Sequence, residues 1–180
     1  MTTTSVSAAR GALSGAAAAL LVLPAAIAAA QAPPAPCRAA EYRQFDFWVG
    51  EWDVYLPDGS KAGENRIEAI NGGCGLLENW SGRGGSVGKS LNAYDRDDGR
   101  WHQTWIDNTG GLLVIAGGLV DRRMVLSSGQ GDAGAAPPRM QQRISWTPND
   151  DGSVRQLWES SADAGKTWTM QFDGKYVHRK

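Results

Sequence analysis

The sequence predicts an all-β fold in which about ten short antiparallel strands form an up-and-down barrel or a sandwich. Turn-forming groups such as Pro57-Asp58-Gly59 and Asn108-Thr109-Gly110 recur about every eight to twelve residues, a spacing typical of strands joined by hairpins. Apolar and polar residues alternate between these turns, and helical periodicity is confined to one turn at 39–47. Because crossover helices are missing, a parallel α/β sheet is excluded.

The N-terminal residues have the layout of a secretory signal. Met1–Arg10 is polar with one positive charge, and Gly11–Ala30 is uncharged and ends in three alanines. A charged start, an apolar middle and small residues at the end are typical of a cleaved leader. A retained anchor is the alternative, since the uncharged run is long enough to span a bilayer. Alanine is only weakly apolar and Pro24 interrupts the run, so we expect residues 1–30 to be a cleaved signal peptide.

The remainder of the chain has the size of one domain. We expect residues 31–44 to form an N-terminal extension and residues 45–180 the barrel domain of a periplasmic or secreted protein. The chain carries 18 Lys and Arg against 19 Asp and Glu. This near-neutral balance argues against nucleic acid as a partner, because phosphate binding requires a basic surface, and it argues against a polybasic membrane anchor as well. We expect no nucleic-acid partner and, after cleavage of the leader, no membrane association; the oligomeric state is left open.

Cys37 and Cys74 are the only cysteines. Export would place them in an oxidising compartment, where such a pair forms a disulfide. A redox-active or metal-binding pair is the alternative, but the chain has no C-x-x-C motif and its histidines lie far away in sequence. We predict a structural disulfide that ties the N-terminal extension to the glycine-rich loop at 71–75. The chain-entropy model gives such a bridge a value of roughly 3–4 kcal/mol.

The predicted strands follow one another through the whole barrel domain. They span 52–56, 63–70, 76–81, 88–94, 100–107, 112–120, 124–128, 139–147, 154–161 and 166–178. The loosest connection is at 129–138. Segments such as Glu64–Glu68 would place charges against lipid, which argues against an outer-membrane barrel.

Four strands carry one polar residue each among their inward-facing bulky residues, because successive side chains of a strand point to opposite sides. The polar residues are Glu78, Gln103, Gln142 and Gln156, and the tryptophans beside them are Trp80, Trp101, Trp105, Trp146 and Trp158. Burying each polar group without a partner would cost on the order of 1–3 kcal/mol. Tryptophan walls with a few convergent polar groups are typical of a ligand cavity in a barrel. The alternative is a network of polar groups and trapped water around no ligand.

These nine residues predict a barrel that binds a small, partly apolar molecule, with the tryptophans as walls and the polar groups fixing its orientation. No catalytic residue, cofactor or metal is assigned. An enzyme in which Glu78 acts as a general base is one alternative. A structural or interaction module is another, but outward residues such as Arg143, Arg155 and Glu159 do not suggest an apolar docking surface.

Ser161–Trp168 matches the Asp-box pattern S-x-D-x-G-x-T-W at every fixed position. Asp163 is expected to bond the turn backbone while Trp168 packs beneath the hairpin. The motif resembles those that repeat in sialidase propellers. A single copy and a domain too short for six blades of roughly 40 residues favour a purely structural hairpin.

The sequence does not assemble a metal site. Asp95, Asp97, Asp98 and Gly99 are similar to the start of a calcium loop. The twelve-residue loop needs a terminal bidentate glutamate, and the chain continues into Arg100-Trp101 instead. His102 and His178 are the only histidines, and both are expected to be solvated. Neither completes a triad or a zinc site. Axial haem ligation by one of them remains an alternative.

The opening string Phe45–Val54, F-D-F-W-V-G-E-W-D-V, is unusual. It resembles the start of a family of uncharacterised secreted bacterial proteins that begin F-D-F-W-x-G-x-W. Further matches are Gly73-Cys74, Glu78-Asn79-Trp80, Trp101–Asp107 and the Asp-box hairpin.

The G-x-W element, Gly50 with Trp52, is also similar to that of lipocalins and their calycin relatives. This resemblance implies a lipocalin-like barrel with an interior binding site, in which Trp52 closes one end; it implies no chemistry. Haem-binding nitrobindin-like barrels are a more distant comparison, because their signature is richer in glycine than Gly50-Glu51-Trp52.

Overall fold

The computed structural model describes residues 1–2, 36–129 and 140–180. The chain divides into two units, Met1–Pro33 and Pro34–Lys180. The predicted leader and the start of the predicted extension lie outside the described residues, apart from the first two positions. Within the described ranges, no helix combines the length and the apolar character needed to cross a membrane.

The described part of the second unit contains ten strands and three short 3-10 helices. The strands are β1 (Gly50–Tyr55), β2 (Lys61–Ile70), β3 (Gly75–Gly82), β4 (Val87–Asp95), β5 (Arg100–Asp107), β6 (Leu112–Val120), β7 (Arg123–Ser127), β8 (Gln141–Pro148), β9 (Val154–Ser161) and β10 (Thr169–His178). The 3-10 helices are Ala40–Arg43, Asp46–Trp48 and Asn71–Gly73. The single helical turn predicted at 39–47 is thus two separate 3-10 helices.

The ten strands form a closed barrel in which every strand is antiparallel to its neighbours. Consecutive strands pair along the chain, and β1 completes the circle by pairing with β10 through Trp52 with His178 and Val54 with Tyr176. The predicted up-and-down barrel is therefore confirmed, and the sandwich alternative is wrong. The largest boundary difference is in β10, which begins at Thr169 because the Asp-box turn occupies the residues before it.

One end of the barrel, here called the closed end, is filled by aromatic side chains. The two 3-10 helices at 40–48, here called the plug, place Phe45 and Trp48 inside the barrel, and both are 0% exposed. Their rings stack with centroids 4.9 Å apart. Phe45 also meets Trp101 and Trp146 edge-on at 5.6 and 5.1 Å. Burial of large aromatic rings is among the strongest contributions to a core.

Two backbone carbonyls of the plug region accept hydrogen bonds from barrel tryptophans. Trp52 Nε1 donates to the carbonyl of Trp48 at 2.9 Å, and Trp101 Nε1 donates to that of Glu41 at 3.2 Å. Trp52 is fully buried, as the implied role of closing one end requires. The predicted disulfide is confirmed: Cys37 and Cys74 are bonded, with Cα atoms 5.0 Å apart. The bond ties the segment before the plug to the loop between β2 and β3.

The opposite end, here called the mouth, is surrounded by the turns that follow β1, β3, β5 and β9 and by the ends of β7 and β8. Because alternate turns of an up-and-down barrel lie at the same end, the Asp-box turn shares the mouth with the β3–β4 turn at 83–86. The connection predicted to be the loosest, at 129–138, lies outside the described residues except for Gly129.

The outside of the barrel differs from one side to the other. On β8 to β10, outward residues form ion pairs, Arg143 with Glu159 at 2.8 Å and Arg155 with Asp173 at 2.7 Å. On β4 to β6, the outward side chains include five large apolar residues that are 47–65% exposed. They are Val87, Leu91, Ile106, Leu112 and Val114. The expectation of polar outer faces therefore holds for the first region and not for the second.

Candidate functional site

A cavity of about 570 Å³ occupies the barrel interior between the closed end and the mouth. Its deeper polar residues are Glu78, Gln103, Gln156 and Tyr176. Six large apolar residues also line the cavity, and we call them the aromatic wall. Four are aromatic and two are aliphatic: Trp80, Trp105, Trp158, Phe172, Leu113 and Ile144. Its rim residues are Leu56, Lys61, Ala62, Arg83, Ser86 and Gln171. The cavity thus has a polar floor, an aromatic wall and a mixed rim.

The polar floor belongs to a chain of hydrogen-bonded side chains that runs around the inside of the barrel. We call this chain the polar belt; its members are Gln156, Tyr176, Asn65, Glu78, Ser90, Asn92 and Gln103. They come from β9, β10, β2, β3, β4 and β5, and each projects inward at an alternate position of its strand. Because five of these strands carry a member that is at most 4% exposed, the belt is largely out of solvent.

Glu78 is the centre of the belt. Its side chain is only 4% exposed. Oε1 accepts a hydrogen bond from Asn65 Nδ2 at 2.7 Å, and Oε2 accepts one from Ser90 Oγ at 2.6 Å. Burial raises the pKa of this carboxyl to about 6, although the two hydrogen bonds stabilise the charged form and limit the rise. Glu78 therefore titrates close to neutral pH rather than in the usual acidic range.

The belt continues from Glu78 toward β5 through uncharged groups. Asn92 Nδ2 donates to Ser90 Oγ at 2.9 Å, and Gln103 Nε2 donates to Asn92 Oδ1 at 2.7 Å. These bonds fix the amide of Gln103 at the edge of the cavity. The predicted inward glutamine is thus held by neighbours rather than buried alone, which removes most of the cost of its burial.

The belt continues from Glu78 in the other direction to Tyr176. Asn65 Nδ2 also approaches the Tyr176 hydroxyl at 3.3 Å, and that hydroxyl donates to Gln156 Oε1. Burial, together with the nearby charge of Glu78, raises the pKa of Tyr176 well above its ordinary value. Tyr176 therefore stays neutral and serves as a donor. Within the described residues, Asn65 Oδ1 is buried without a hydrogen-bond partner.

The three tryptophans of the aromatic wall line the cavity, and each indole N–H has an acceptor in the protein. Trp158 Nε1 donates to Gln142 Oε1 at 2.6 Å. The other two indoles make longer bonds, Trp80 to Ser86 Oγ at 3.3 Å and Trp105 to an Asp107 oxygen at 3.4 Å. Because the polar edges are engaged, the wall offers mainly apolar surface to a ligand.

Glycines on neighbouring strands make room for these rings. A Cβ atom at Gly88 would overlap the six-membered ring of Trp105, which lies across β4. A Cβ atom at Gly63 would lie 2.8 Å from Cη2 of Trp80, closer than side chains approach one another. Because these two positions lack side chains, the rings of Trp105 and Trp80 can lie close to the backbone of β4 and β2.

The structure separates the nine predicted site residues into three groups. Six line the cavity, namely Glu78, Trp80, Gln103, Trp105, Gln156 and Trp158. Trp101 and Trp146 lie in the closed end, 1% and 0% exposed, so their predicted place in the cavity wall does not match. Gln142 supports the indole of Trp158 instead of lining the cavity. The alternation along a strand correctly predicts which side chains point into the barrel. It does not predict how far along the barrel axis each side chain lies.

Four members of the polar belt were not among the predicted site residues. They are Asn65, Ser90, Asn92 and Tyr176. The alternation of β4 contains a usable signal, because Gly88, Ser90 and Asn92 share one face while Lys89 and Leu91 share the other. Small and polar residues on the inward face of a strand indicate that this face does not pack against an apolar core.

The Asp-box has the contacts expected of a structural turn. Asp163 Oδ1 accepts a hydrogen bond from the Thr167 backbone at 2.8 Å, and its Oδ2 accepts one from the Thr167 hydroxyl at 2.6 Å. These bonds lower the pKa of Asp163 to about 2. The guanidinium of Arg143 lies 4.0 Å from the centre of the Trp168 ring. The motif therefore anchors one turn at the mouth.

The histidines lie away from the cavity. His102 is in β5, and its Nε2 lies 2.8 Å from Oδ2 of Asp98 in the β4–β5 turn. His102, Asp98 and Asp95, the last residue of β4, each place one ligand-type atom within 4.8 Å of the others. The same carboxylates accept backbone hydrogen bonds that close the turn. His178 is exposed and its ring stacks on Trp52 at 3.8 Å. Neither histidine faces the cavity, which removes the basis for axial haem ligation there.

Neither the comparison with protein-family models nor that with curated protein sequences gives a match for this chain. The resemblance to the secreted bacterial family therefore stays a prediction. The closed antiparallel barrel of ten strands is consistent with a lipocalin-like fold.

Proposed function

We propose that this protein is an exported barrel that binds a small, partly apolar molecule in the cavity between the polar belt and the mouth. One observation carries the proposal: a single open cavity combines an aromatic wall with a buried, hydrogen-bonded carboxylate at its floor. A cavity of about 570 Å³ falls within the range of roughly 300–1,000 Å³ that is typical of small-molecule sites.

The contrast with ordinary packing supports a binding role. Folded interiors are close-packed and seldom leave voids much larger than a water molecule. Here three indoles face open space although aromatic burial stabilises the closed end of the same barrel. A ligand with an apolar body would cover these rings and gain the stabilisation of about 25 cal/mol for each Å² of apolar surface removed from water.

Glu78 supports a polar orientation for that ligand. A carboxylate has about four lone-pair sites, and protein donors occupy two of those of Glu78. A ligand group that donates a hydrogen bond at the floor can therefore bind the Glu78 carboxylate. The amide of Gln103, which is held in place by Asn92, restricts the shape of the ligand group that fits beside it.

Export is supported by the disulfide. A bond between Cys37 and Cys74 fits an oxidising compartment such as the periplasm or the extracellular space. The predicted signal peptide, on which export also depends, lies outside the described residues.

Native mass spectrometry of the mature protein purified from its own host tests this proposal. We expect a discrete excess mass that disappears on denaturation, and its value identifies the ligand. Gln103→Leu should lower the occupancy at least severalfold and leave the fold intact, because the variant removes one polar contact from the floor. Thr104→Val, on the outward face of β5, is the matched control and should retain the mass.

Absence of any excess mass across gentle preparations would contradict a stably occupied binding site. Unfolding of Gln103→Leu, with no ligand found in any preparation, would instead assign the polar belt a purely structural role.

An enzyme using the same cavity is the second candidate, and the raised pKa of Glu78 is the observation that favours it. A buried carboxyl that titrates near pH 6 is suited to accept a proton from a bound substrate. This candidate predicts that Glu78→Gln abolishes turnover of a substrate identified from the bound mass while binding persists. Unchanged turnover in the variant would exclude Glu78 as the base.

A further inference from the structure

We infer that the ligand of the cavity is an amine whose protonated nitrogen pairs with Glu78 and whose apolar body lies against the aromatic wall. The inference rests on the proposed binding function and narrows it to one class, small apolar amines. Hydroxyl and amide groups also donate hydrogen bonds to carboxylates, and the inference is that the cavity prefers an ammonium group to either of them.

The environment of Glu78 is the first reason for choosing a cation. The carboxylate is 4% exposed, and its neighbours in the described residues are the uncharged donors Asn65 and Ser90. No lysine, arginine or histidine of the described ranges lies within 4.0 Å of it. A buried carboxylate is costly unless it is paired with a cation. An ammonium group would supply both the missing charge and up to three donors.

The other groups that face Glu78 do not compete for this role. Tyr176 is the remaining titratable group of the belt, and it stays neutral because it is buried beside the carboxylate. Gln103 and Gln156 are uncharged. The floor of the cavity therefore carries one negative charge at Glu78, and that charge has no cationic partner among the described residues.

The aromatic wall is the second reason. Trp80, Trp105 and Trp158 have their N–H groups engaged by protein acceptors and line the cavity with their rings. A cation near an indole face is attracted by the negative charge density of the ring. The wall thus favours a positively charged group and also covers the apolar remainder of the same ligand.

The rim of the cavity contains two basic residues, Lys61 and Arg83, whose charge would oppose the binding of a cation. Lys61 lies 2.9 Å from Asp53 and 2.8 Å from Glu64, so its charge is balanced locally. Arg83 lies in the exposed β3–β4 turn, where solvent and salt screen its charge. A ligand with an anionic group at Arg83 is the competing possibility, and the experiment includes it.

Isothermal titration calorimetry of the purified protein with three indole probes tests the inference. At neutral pH tryptamine is a cation, tryptophol is its uncharged hydroxyl counterpart, and indole-3-acetate is an anion. We expect tryptamine to bind about tenfold or more tightly than tryptophol, because only tryptamine pairs the buried carboxylate with an opposite charge, and indole-3-acetate to bind most weakly. Hexylamine and hexanol repeat the comparison with an aliphatic body.

Glu78→Gln links the preference to the carboxylate. In this variant tryptamine affinity should fall about tenfold while tryptophol affinity changes little, because only the charged partner is lost. Glu51→Gln removes an exposed carboxylate from the outer face of β1 and should leave both affinities unchanged. Glu78→Asp keeps the charge on a shorter side chain and should retain a preference for the amine, which preserves the test if Glu78→Gln does not fold.

Equal or tighter binding of the alcohols, an unchanged preference in Glu78→Gln, or a preference for indole-3-acetate would each overturn the amine inference and leave a binding protein. Failure of both amines to bind at millimolar concentration also overturns it. The proposed function is then decided separately by the excess mass in native mass spectrometry.

Discussion

The two ends of the barrel are built from the same strands and the same residue types, yet one end is a packed core and the other is an open cavity. On β5, Trp101 is part of a close-packed aromatic core, whereas Trp105 borders an open cavity, and Gln103 lies between them. The difference comes from outside the strands. The plug inserts Phe45 and Trp48 into the closed end, and no comparable segment of the described residues enters the mouth.

This contrast teaches that an inward tryptophan is not by itself a sign of either core or cavity. At the closed end the rings are covered on all sides and contribute to stability. At the mouth their faces are left open and are available to a ligand. We therefore expect stability to depend mainly on the closed end and ligand binding on the mouth.

Removal of a plug aromatic should have the largest effect. Trp48→Ala deletes a fully buried ring that stacks on Phe45, and we expect the free energy of unfolding to fall by about 3–5 kcal/mol. Trp105→Ala, at the mouth, is the matched control and should cost less, because its ring is only partly buried. Urea denaturation measures both values. Equal losses in the two variants would contradict the division between a stabilising end and a binding end.

Removal of the disulfide should have the next largest effect. The double variant Cys37→Ser, Cys74→Ser frees the segment before the plug, and the chain-entropy model predicts a loss of roughly 3–4 kcal/mol. Denaturation of the unmodified protein with and without a reducing agent gives an independent value, which should agree with that of the double variant. If neither treatment lowers stability, packing of the plug alone holds the N-terminal segment in place.

Ionisation of Glu78 should have a smaller and pH-dependent effect. The folded-state pKa is raised from 4.5 to about 6, so the unfolded chain releases this proton first as the pH rises. Wild-type stability should therefore fall relative to Glu78→Gln between about pH 4.5 and pH 6, by about 2 kcal/mol in total. Below this range the carboxyl is protonated in both states and the difference stays constant.

Urea denaturation of wild type and Glu78→Gln across this pH range measures the effect. Glu51→Gln controls for the loss of a negative charge from an exposed position. A difference between wild type and Glu78→Gln that does not change with pH would show that the pKa of Glu78 is not raised. Its hydrogen bonds would then offset the whole cost of burying the charge.

Much of the fold was predictable from local features. Turn residues such as Pro57-Asp58-Gly59 and period-two alternation mark all ten strands, and the positions of β5, β6 and β9 agree with the prediction to the residue. The disulfide was predictable because two cysteines allow a single pairing.

The candidate site was predictable only in part, because alternation specifies the side of a sheet and not the height in a barrel. Trp146 and Gln142 lie on the same face of β8, yet Trp146 reaches the closed end and Gln142 lies near the mouth. Their heights follow from register across ten strands, which no single segment encodes. Asn65 is separated from its partner Tyr176 by most of the domain, so their contact has no local signal.

The pairing of β1 with β10 has a consequence for how the chain acquires this structure. Strand β1 can pair with β10 only after the residues of β10 have been synthesised, since Trp52 pairs with His178. The plug depends on the same event, because Trp48 packs against Tyr176 with ring centroids 6.3 Å apart. Such long-range contacts make folding slow. The barrel therefore cannot close until β10 has been synthesised and has reached β1.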